Sequence, residues 1–581
     1  MAEFWSAMRA ARRSRALSDV SYYFADLLTR LNPAACEPVI LAGALAAERA
    51  LSGEIRVELS RFSGQAVFGD EVDLLSPLAE DWHRMLDDSP LVGDGTHKTI
   101  LVKTQGSLYL HRYFDLERRL ARLLVDRSIR PMRDVKRVPS LTTLNGVFGN
   151  DENTQSQREA ARIVFNHRIA IISGGPGTGK TATVRRILPL MWSHTSVLPE
   201  RTLLCAPTGK AAARLRETLA DHAGDDTESL QAFPANAVTI HRLLGWQPGG
   251  AFRYGAHRRL PCDLVIIDEA SMVDLALMVR LFEALPDDAR VILLGDRDQL
   301  ASVEAGAVLG DMCRAADSGI WAGGMAPLSH NWRFGSDSPI AHLARVIRSG
   351  DATGVSETLA EQNEGPVSFL DVADDERFDV YLNERLYPFF ESLMEASGAG
   401  APVEEQFSRL GEVMVICAHR HGPRSVQAVN AYMTERLRRR SKQSSFLVFP
   451  GMPLMLTRND PGLGLFNGDI GIVVSGPASS GLQAVFPGLD GKVMRYSLNR
   501  LPEYEPAYAI TTHKAQGSQA RHVFFILPAK HSRVLSKELI YTGITRARES
   551  VEIWGDPEVL ISAVTKSAAR PTGLSERMQC L

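Results

Sequence analysis

The sequence predicts an α/β protein: two domains built on parallel sheets, preceded by a small N-terminal domain and carrying a small β-barrel inserted in the second. Three observations carry that expectation. Short apolar runs, Ile171-Ile172, Leu264 to Ile267 and Val291 to Leu294, have the continuous hydrophobicity of strands buried on both faces, and helix-like stretches separate them. Val413 to Cys417 and His522 to Leu527 repeat the pattern further on. Between these two, residues 445–505 are rich in glycine and short β-type runs such as Ile470 to Val474 and Leu482 to Phe486, which read as an inserted barrel.

Residues 1–115 mix helical patterning with short strands and read as an independent domain, in which Ala42 to Leu51 is apolar and small enough to pack against another helix. Residues 116–150, rich in arginine and ending in Asn145-Gly146-Val147-Phe148-Gly149-Asn150, read as a helix followed by a linker. The first sheet domain spans 151–325, with strands ending at Ser173, Ala206, Asp268 and Gly295 and crossover helices between them. Within it, 246–260, with Pro248-Gly249-Gly250 near its start, reads as a hairpin or a plain surface loop. The second sheet domain spans 326–581 and holds the 445–505 insert. Arg436-Leu437-Arg438-Arg439-Arg440 with Lys442 reads as a solvated helix end.

Chemistry is concentrated at the strand ends. Gly174-Gly175-Pro176-Gly177-Thr178-Gly179-Lys180-Thr181 is a complete phosphate-binding loop between an apolar strand and the helix-like Ala182 to Met191. Its glycines let the backbone bend and turn successive N–H groups toward a triphosphate, which the following helix N-terminus also favours. Lys180 would reach the β- and γ-phosphates of ATP, and Thr181 would hold Mg²⁺. Asp268 and Glu269 close the next strand, where open α/β sheets bind ligands. Asp268 would complete the Mg²⁺ shell, and Glu269 would orient and deprotonate the attacking water. Gln299, in Gly295-Asp296-Arg297-Asp298-Gln299, could sense the γ-phosphate.

These motifs are similar to those of superfamily 1 helicases, and others narrow the resemblance. Ala206-Pro207-Thr208-Gly209-Lys210-Ala211-Ala212-Ala213-Arg214-Leu215, Thr239-Ile240-His241-Arg242-Leu243, and Gly295 through Val303 resemble the RecD family, which supplies the alpha subunit of exonuclease V. Trp332-Arg333-Phe334-Gly335, Gly464 to Gly471, Thr512-His513-Lys514-Ala515-Gln516-Gly517 and Tyr541 to Arg548 agree. The resemblance runs from about residue 150 to the C-terminus and is thinner before it. It implies two RecA-like motor domains with an SH3-like insertion, ATP and Mg²⁺ as cofactors, and 5′-to-3′ translocation on DNA. Arg333 and Arg546 match the family's two γ-phosphate contacts. Gln157 matches its adenine-reading glutamine, with Gln155 as an alternative, and Gln516 and Gly517 face the nucleotide. Thr208, Lys210, Thr239, His241, Thr512 and His513 match positions that touch single-stranded DNA, and each could instead be a strand-end cap or a core hydrogen-bonder. The family also implies RecB-like and RecC-like partners, with the N-terminal domain docking on the latter, and a hairpin at 246–260 acting as a pin that splits the duplex.

Composition narrows the alternatives. The formal net charge of −3 gives no global basic field, so DNA contact must be local, in a groove. The six cysteines show no Cys-x-x-Cys pairing, against a zinc ribbon, an iron–sulfur cluster or a secreted disulfide framework. Without a long apolar run or a signal-peptide core, the expectation is a soluble, cytoplasmic bacterial protein. Two other readings stand beside the helicase subunit: a stand-alone RecD2-like helicase, disfavoured by the lack of helix-hairpin-helix repeats in 1–115, and an ATP-gated scaffold. No acidic cluster outside the ATP site suggests a nuclease centre, so any cutting would belong to a RecB-like partner.

Overall fold

The computed structural model describes residues 1–581 except 70, 71, 73, 221–236, 248, 303, 334, 336, 337, 362–364, 373, 441–446, 461, 477–480, 489–492, 533, 569 and 571. Pro248, Val303, Phe334 and Lys442 of the readings above therefore lie outside the described residues.

Six parallel strands form the first lobe, in the order Gly324–Pro327, Ile169–Ser173, Arg290–Gly295, Leu264–Ile267, Thr202–Ala206, Ala237–Thr239. Each strand alternates between two cores. Ile171, Val265 and Leu293 face one layer of helices, and Ile172, Ile266 and Leu294 the other. Neither face is left to water, which is why these strands read as unbroken apolar runs. Register then fixes the chemistry: Ser173 pairs with Gly295, Ile267 with Leu293 and Cys205 with Ile267, so the turns that follow emerge side by side at the carboxyl edge.

The second lobe repeats the design with five parallel strands, Val367–Asp371, Ala547–Gly555, Ala520–Ile526, Val413–Cys417 and Ala509–Thr511. Between the helix Val426–Arg440 and the strand Ala509–Thr511, the chain makes a separate antiparallel sheet, ordered Val493–Ser497, Leu482–Pro487, Ile470–Ser475, Pro453–Leu456, Tyr504–Pro506. The arginines ending Val426–Arg440 meet Asn383, Glu435 and Glu391 on the surface, as a solvated helix end would.

The N-terminal region packs the helices Ala2–Arg13, Asp19–Leu31 and Glu37–Leu51 on a four-stranded sheet, Arg56–Glu58, Ser107–Leu110, Leu101–Thr104, Val92–Gly93. Gly43 lets the helices Asp19–Leu31 and Glu37–Leu51 pack closely, since a Cβ there would lie 2.2 Å from Leu28 Cδ1. Val20, Tyr23, Leu27 and Leu31, spaced three and four residues apart, form an apolar stripe 40–62% exposed on the helix Asp19–Leu31.

Three expected boundaries are corrected. The limit at 325 falls inside Gly324–Pro327, which pairs with the phosphate-loop strand, so the first lobe continues beyond it. The 116–150 segment holds more than the one helix and linker expected. A helix already starts at His111 and runs to Ser128, and a second, Leu141–Phe148, is capped by Ser140 and ended by Gly149 at φ 84°. The last residues do not stay with the second lobe. Leu574 and Met578 of the helix Leu574–Gln579 are buried in the first lobe's core, against the helices His111–Ser128 and Val308–Asp317. No helix among the described residues is long and apolar enough to cross a membrane.

Candidate functional site

The strand Ile169–Ser173 delivers the phosphate loop and the helix Lys180–His194 receives it, with Gly177 and Gly179 at φ 86° and 80°. A side chain would be strained at both, and at Gly177 it would also strike Asn331 and Arg333. Lys180 Nζ donates to the carbonyls of Gly174 and Gly175 at 2.5 and 3.1 Å, and Thr178 Oγ1 donates to Gly175 at 2.8 Å. Thr181 Oγ1 lies 3.3 Å from Asp268 Oδ2, a hydroxyl and a carboxylate spaced to share one divalent cation. Burial and then the neighbouring Glu269 raise the Asp268 carboxyl to about 6. Glu269 itself adopts a left-handed φ of 52°, costly for a residue with a Cβ and typical of functional turns.

The second strand-end turn converges on one carboxylate. Asp296, 2% exposed, accepts Gln299 Nε2 at 3.1 Å and Tyr541 Oη at 3.0 Å on the same oxygen. Gln516 donates to the Leu300 carbonyl at 2.9 Å, so this residue joins the lobes across the cleft. Gly517, at φ 73°, offers its carbonyl to Arg214 at 3.4 Å.

Segment 330–333 closes the site from the far side. Trp332 N–H donates to the Gly177 carbonyl at 2.8 Å and Asn331 Nδ2 to the Pro176 carbonyl at 3.0 Å. The Trp332 ring, half exposed, flanks Gly179 together with Gln157 Nε2. Gln157 is buried with Oε1 unpartnered, whereas Gln155 is exposed. Sequence reasoning quoted Trp332 in a motif and missed it as a ring beside the loop. Arginines complete the arrangement. Burial, then the charges of Arg214, Arg546 and Arg548, push Arg333 down to about 9. Arg546 is 2% exposed, gives Nε to the Thr542 carbonyl at 2.9 Å and leaves Nη2 without a partner. Gathering guanidinium groups opposite Asp268 and Glu269 is costly unless an anion joins them, and a triphosphate held by the loop fits that demand. Arg214, which sequence reasoning did not single out, belongs to this cluster by its charge.

The six residues expected to touch DNA divide. Lys210 and His241 are exposed, and Thr208 and Thr239 cap helices by accepting from Ala211 N and Arg242 N. His513 is lowered to about 4 by burial, reinforced by Arg570, so its ring is neutral at physiological pH. Thr512 is corrected: it is 1% exposed with an unpartnered hydroxyl, so its side chain does not face a groove. Its neighbour Thr511 is partly buried, and its hydroxyl accepts the Lys514 N–H at 3.4 Å. Phe466 of the inserted segment stands 3.8 Å from where a Gly209 Cβ would be, closing the space between that segment and the first lobe. At 246–260, bridges join Trp246 to Phe252 and Gly255 to Arg258, giving a short hairpin whose Phe252 packs toward the first-lobe core.

A phosphate loop and acidic strand end on one parallel-sheet lobe, met by arginines from a second, define a two-lobed nucleotide-driven motor of the superfamily 1 helicase class. Comparison with known proteins agrees. Residues 157–305 match an AAA domain, 506–553 a UvrD-like helicase C-terminal domain, and 13–109 the N-terminal domain of RecBCD enzyme subunit RecD. RecBCD enzyme subunit RecD of Mycobacterium tuberculosis is 37% identical, over 98% of this chain and 96% of that one. The ATP-dependent RecD2 DNA helicase of Deinococcus radiodurans is 29% identical, over 85% of this chain and 61% of its own length. Bacteroides Pif1 bound to ssDNA aligns at 17% identity and a TM-score of 0.41, over 70% of this chain and 92% of that one. The chain belongs to the RecD family.

Proposed function

We propose that this protein is the ATP-driven, 5′-to-3′ DNA-translocating subunit of a RecBCD-type helicase and nuclease that processes double-strand break ends. The observation that carries the proposal is Arg546, a buried second-lobe guanidinium with a free Nη2 whose charge is favoured by the Glu269 carboxylate of the first lobe. Hydrolysis then depends on how the lobes pack, which is what a motor requires. Lys180 and the loop amides hold the β- and γ-phosphates, Gln157 reads adenine, and Thr181 and Asp268 would hold Mg²⁺, which would neutralise phosphate charge. Glu269 orients and deprotonates the attacking water, Gln299 senses the γ-phosphate, and Arg333 and Arg546 stabilise the charge of the transferred group. Because the Trp332 ring lies beside Gln157, it stacks on adenine. Trp332→Ala is expected to raise KM for ATP about tenfold with little change in kcat, since base–aromatic stacking is worth ~1–3 kcal/mol.

Thr208, Lys210, Thr239, His241, His513 and Thr511 line the strand's path, the 246–260 hairpin acts as the pin that splits the duplex, and the antiparallel insert is an SH3-like barrel. The exposed stripe Val20, Tyr23, Leu27, Leu31 is the face offered to a RecC-like subunit, and a RecB-like subunit supplies the nuclease. The N-terminal match at 13–109 favours this subunit reading over a stand-alone RecD2-like helicase, and the protein works in the cytoplasm. The test is strand displacement from duplexes with a 5′ or a 3′ single-stranded tail, for the chain alone and with RecB- and RecC-like subunits. Displacement confined to the 5′ tail and strongest in the assembly is expected; equal use of both tails would overturn the polarity.

A further inference from the structure

Tyr541 and Thr542 lie in the buried helix Lys537–Ile544, whose N-terminus is capped by Ser536. The Tyr541 hydroxyl donates to Asp296 Oδ2 at 3.0 Å, the oxygen that also accepts Gln299 Nε2 at 3.1 Å. A Cβ on Gly175 would stand 2.8 Å from the same hydroxyl, so Tyr541 rests on the phosphate loop as well. One residue on, Thr542 faces both ways. Its Oγ1 accepts the Leu300 N–H at 2.9 Å, and its carbonyl accepts Arg546 Nε at 2.9 Å. Gln516 completes the joint on the Leu300 carbonyl. Asp296, Gln299, Leu300, Tyr541, Thr542, Gln516 and Arg546 are each 7% exposed or less.

We propose that Tyr541 and Thr542 are positioning residues that make the γ-phosphate sensor Gln299 and the arginine Arg546 one unit. Buried hydrogen bonds tie Gln299 and Tyr541 to Asp296 and tie Leu300 to the Thr542 hydroxyl, and the backbone of the helix Lys537–Ile544 joins these two anchors to the Thr542 carbonyl that holds Arg546. Water cannot substitute for a lost partner there, so a shift of the 296–300 turn is transmitted to the arginine rather than absorbed. The relay rests on the motor reading above and adds to it: the two lobes are in register for hydrolysis only when both hydroxyls are engaged.

The test compares Tyr541→Phe, Thr542→Val and Thr542→Ser in the full chain. Loss of either hydroxyl is expected to lower DNA-stimulated kcat about tenfold, the scale of one unsatisfied buried group, with KM for ATP unchanged. ADP with aluminium fluoride should bind about tenfold more weakly, while ADP alone binds as before. Thr542→Ser, which keeps the hydroxyl, should behave as wild type. Unchanged kcat and aluminium-fluoride binding in Tyr541→Phe and Thr542→Val, or a Thr542→Ser as impaired as Thr542→Val, would overturn the relay. Lys180→Gln run alongside separates the two ideas: if it abolishes turnover while the hydroxyl variants stay normal, the relay fails and the motor stands. If Lys180→Gln turns over ATP normally, both fail.

Discussion

Arg546→Ala is expected to lower ATP turnover on DNA about a thousandfold, the low end of the ~10³–10⁵ that an arginine stabilising phosphoryl transfer contributes. Among the described residues its side chain donates from Nε to the Thr542 carbonyl, and Nη2 has no partner. Burial lowers its pKa, yet a guanidinium stays charged, so the cost of keeping an underused cation inside falls on the fold. Two results should therefore appear together. The loss should be in kcat with KM for ATP little changed, and the variant should unfold at the same temperature as wild type or higher. Lysine should not restore the rate, because a point charge lacks the planar fork. A loss under about tenfold, or a marked drop in thermal stability, would show that Arg546 is structural.

The second large effect concerns the end of the chain. Glu117, fully buried on the helix His111–Ser128, accepts Gly573 N–H and Arg577 Nε, each at 2.7 Å. Arg577 also lies 4.1 Å from the Phe114 ring, Thr572 donates to Asp311 at 2.6 Å, and Arg570 donates to the carbonyls of Ser302 and Glu304. The chain thus leaves the second lobe and straps itself onto the first. Arg577→Met removes one partner of a buried ion pair, a change that costs about 3–5 kcal/mol. The pH dependence has a definite sign. Burial raises Glu117 above the usual glutamate value, and losing Arg577 raises it further. The native state then binds the proton more tightly than the unfolded chain, so the variant's stability falls as pH rises from the ordinary glutamate value through the raised one. Unfolding of Arg577→Met between pH 4.5 and 8 should show the largest deficit at the alkaline end, and Glu117→Gln added to it should recover much of the loss. A deficit constant with pH, or no gain from the second substitution, would remove the buried carboxylate from the explanation.

The phosphate loop, Asp268, Glu269 and Gln299 were legible because each sits at the end of a strand whose apolar run announces itself, and parallel pairing brings such ends together. What joins the lobes was not. Tyr541 and Asp296 are separated by 245 residues and Thr542 and Leu300 by 242, and neither pair leaves a local pattern. The strap escaped for the same reason, since Glu117 and Arg577 look like ordinary surface charges until the helix Leu574–Gln579, which carries Arg577, packs over Glu117. Thr511 and Thr512 show a finer limit. They are adjacent at the end of the strand Ala509–Thr511, and which one faces inward depends on the turn into the next helix, not on spacing. The strand Gly324–Pro327, short and ending in proline, gave too little hydrophobic signal to move the expected boundary past it.

The measurement that tests the central claim most directly is ATP hydrolysis by the full chain with and without single-stranded DNA, beside Lys180→Gln. Turnover that rises many-fold on DNA and disappears in Lys180→Gln is the predicted result. Turnover indifferent to DNA in the chain alone and in its assembly would contradict the motor and leave a nucleotide-gated scaffold.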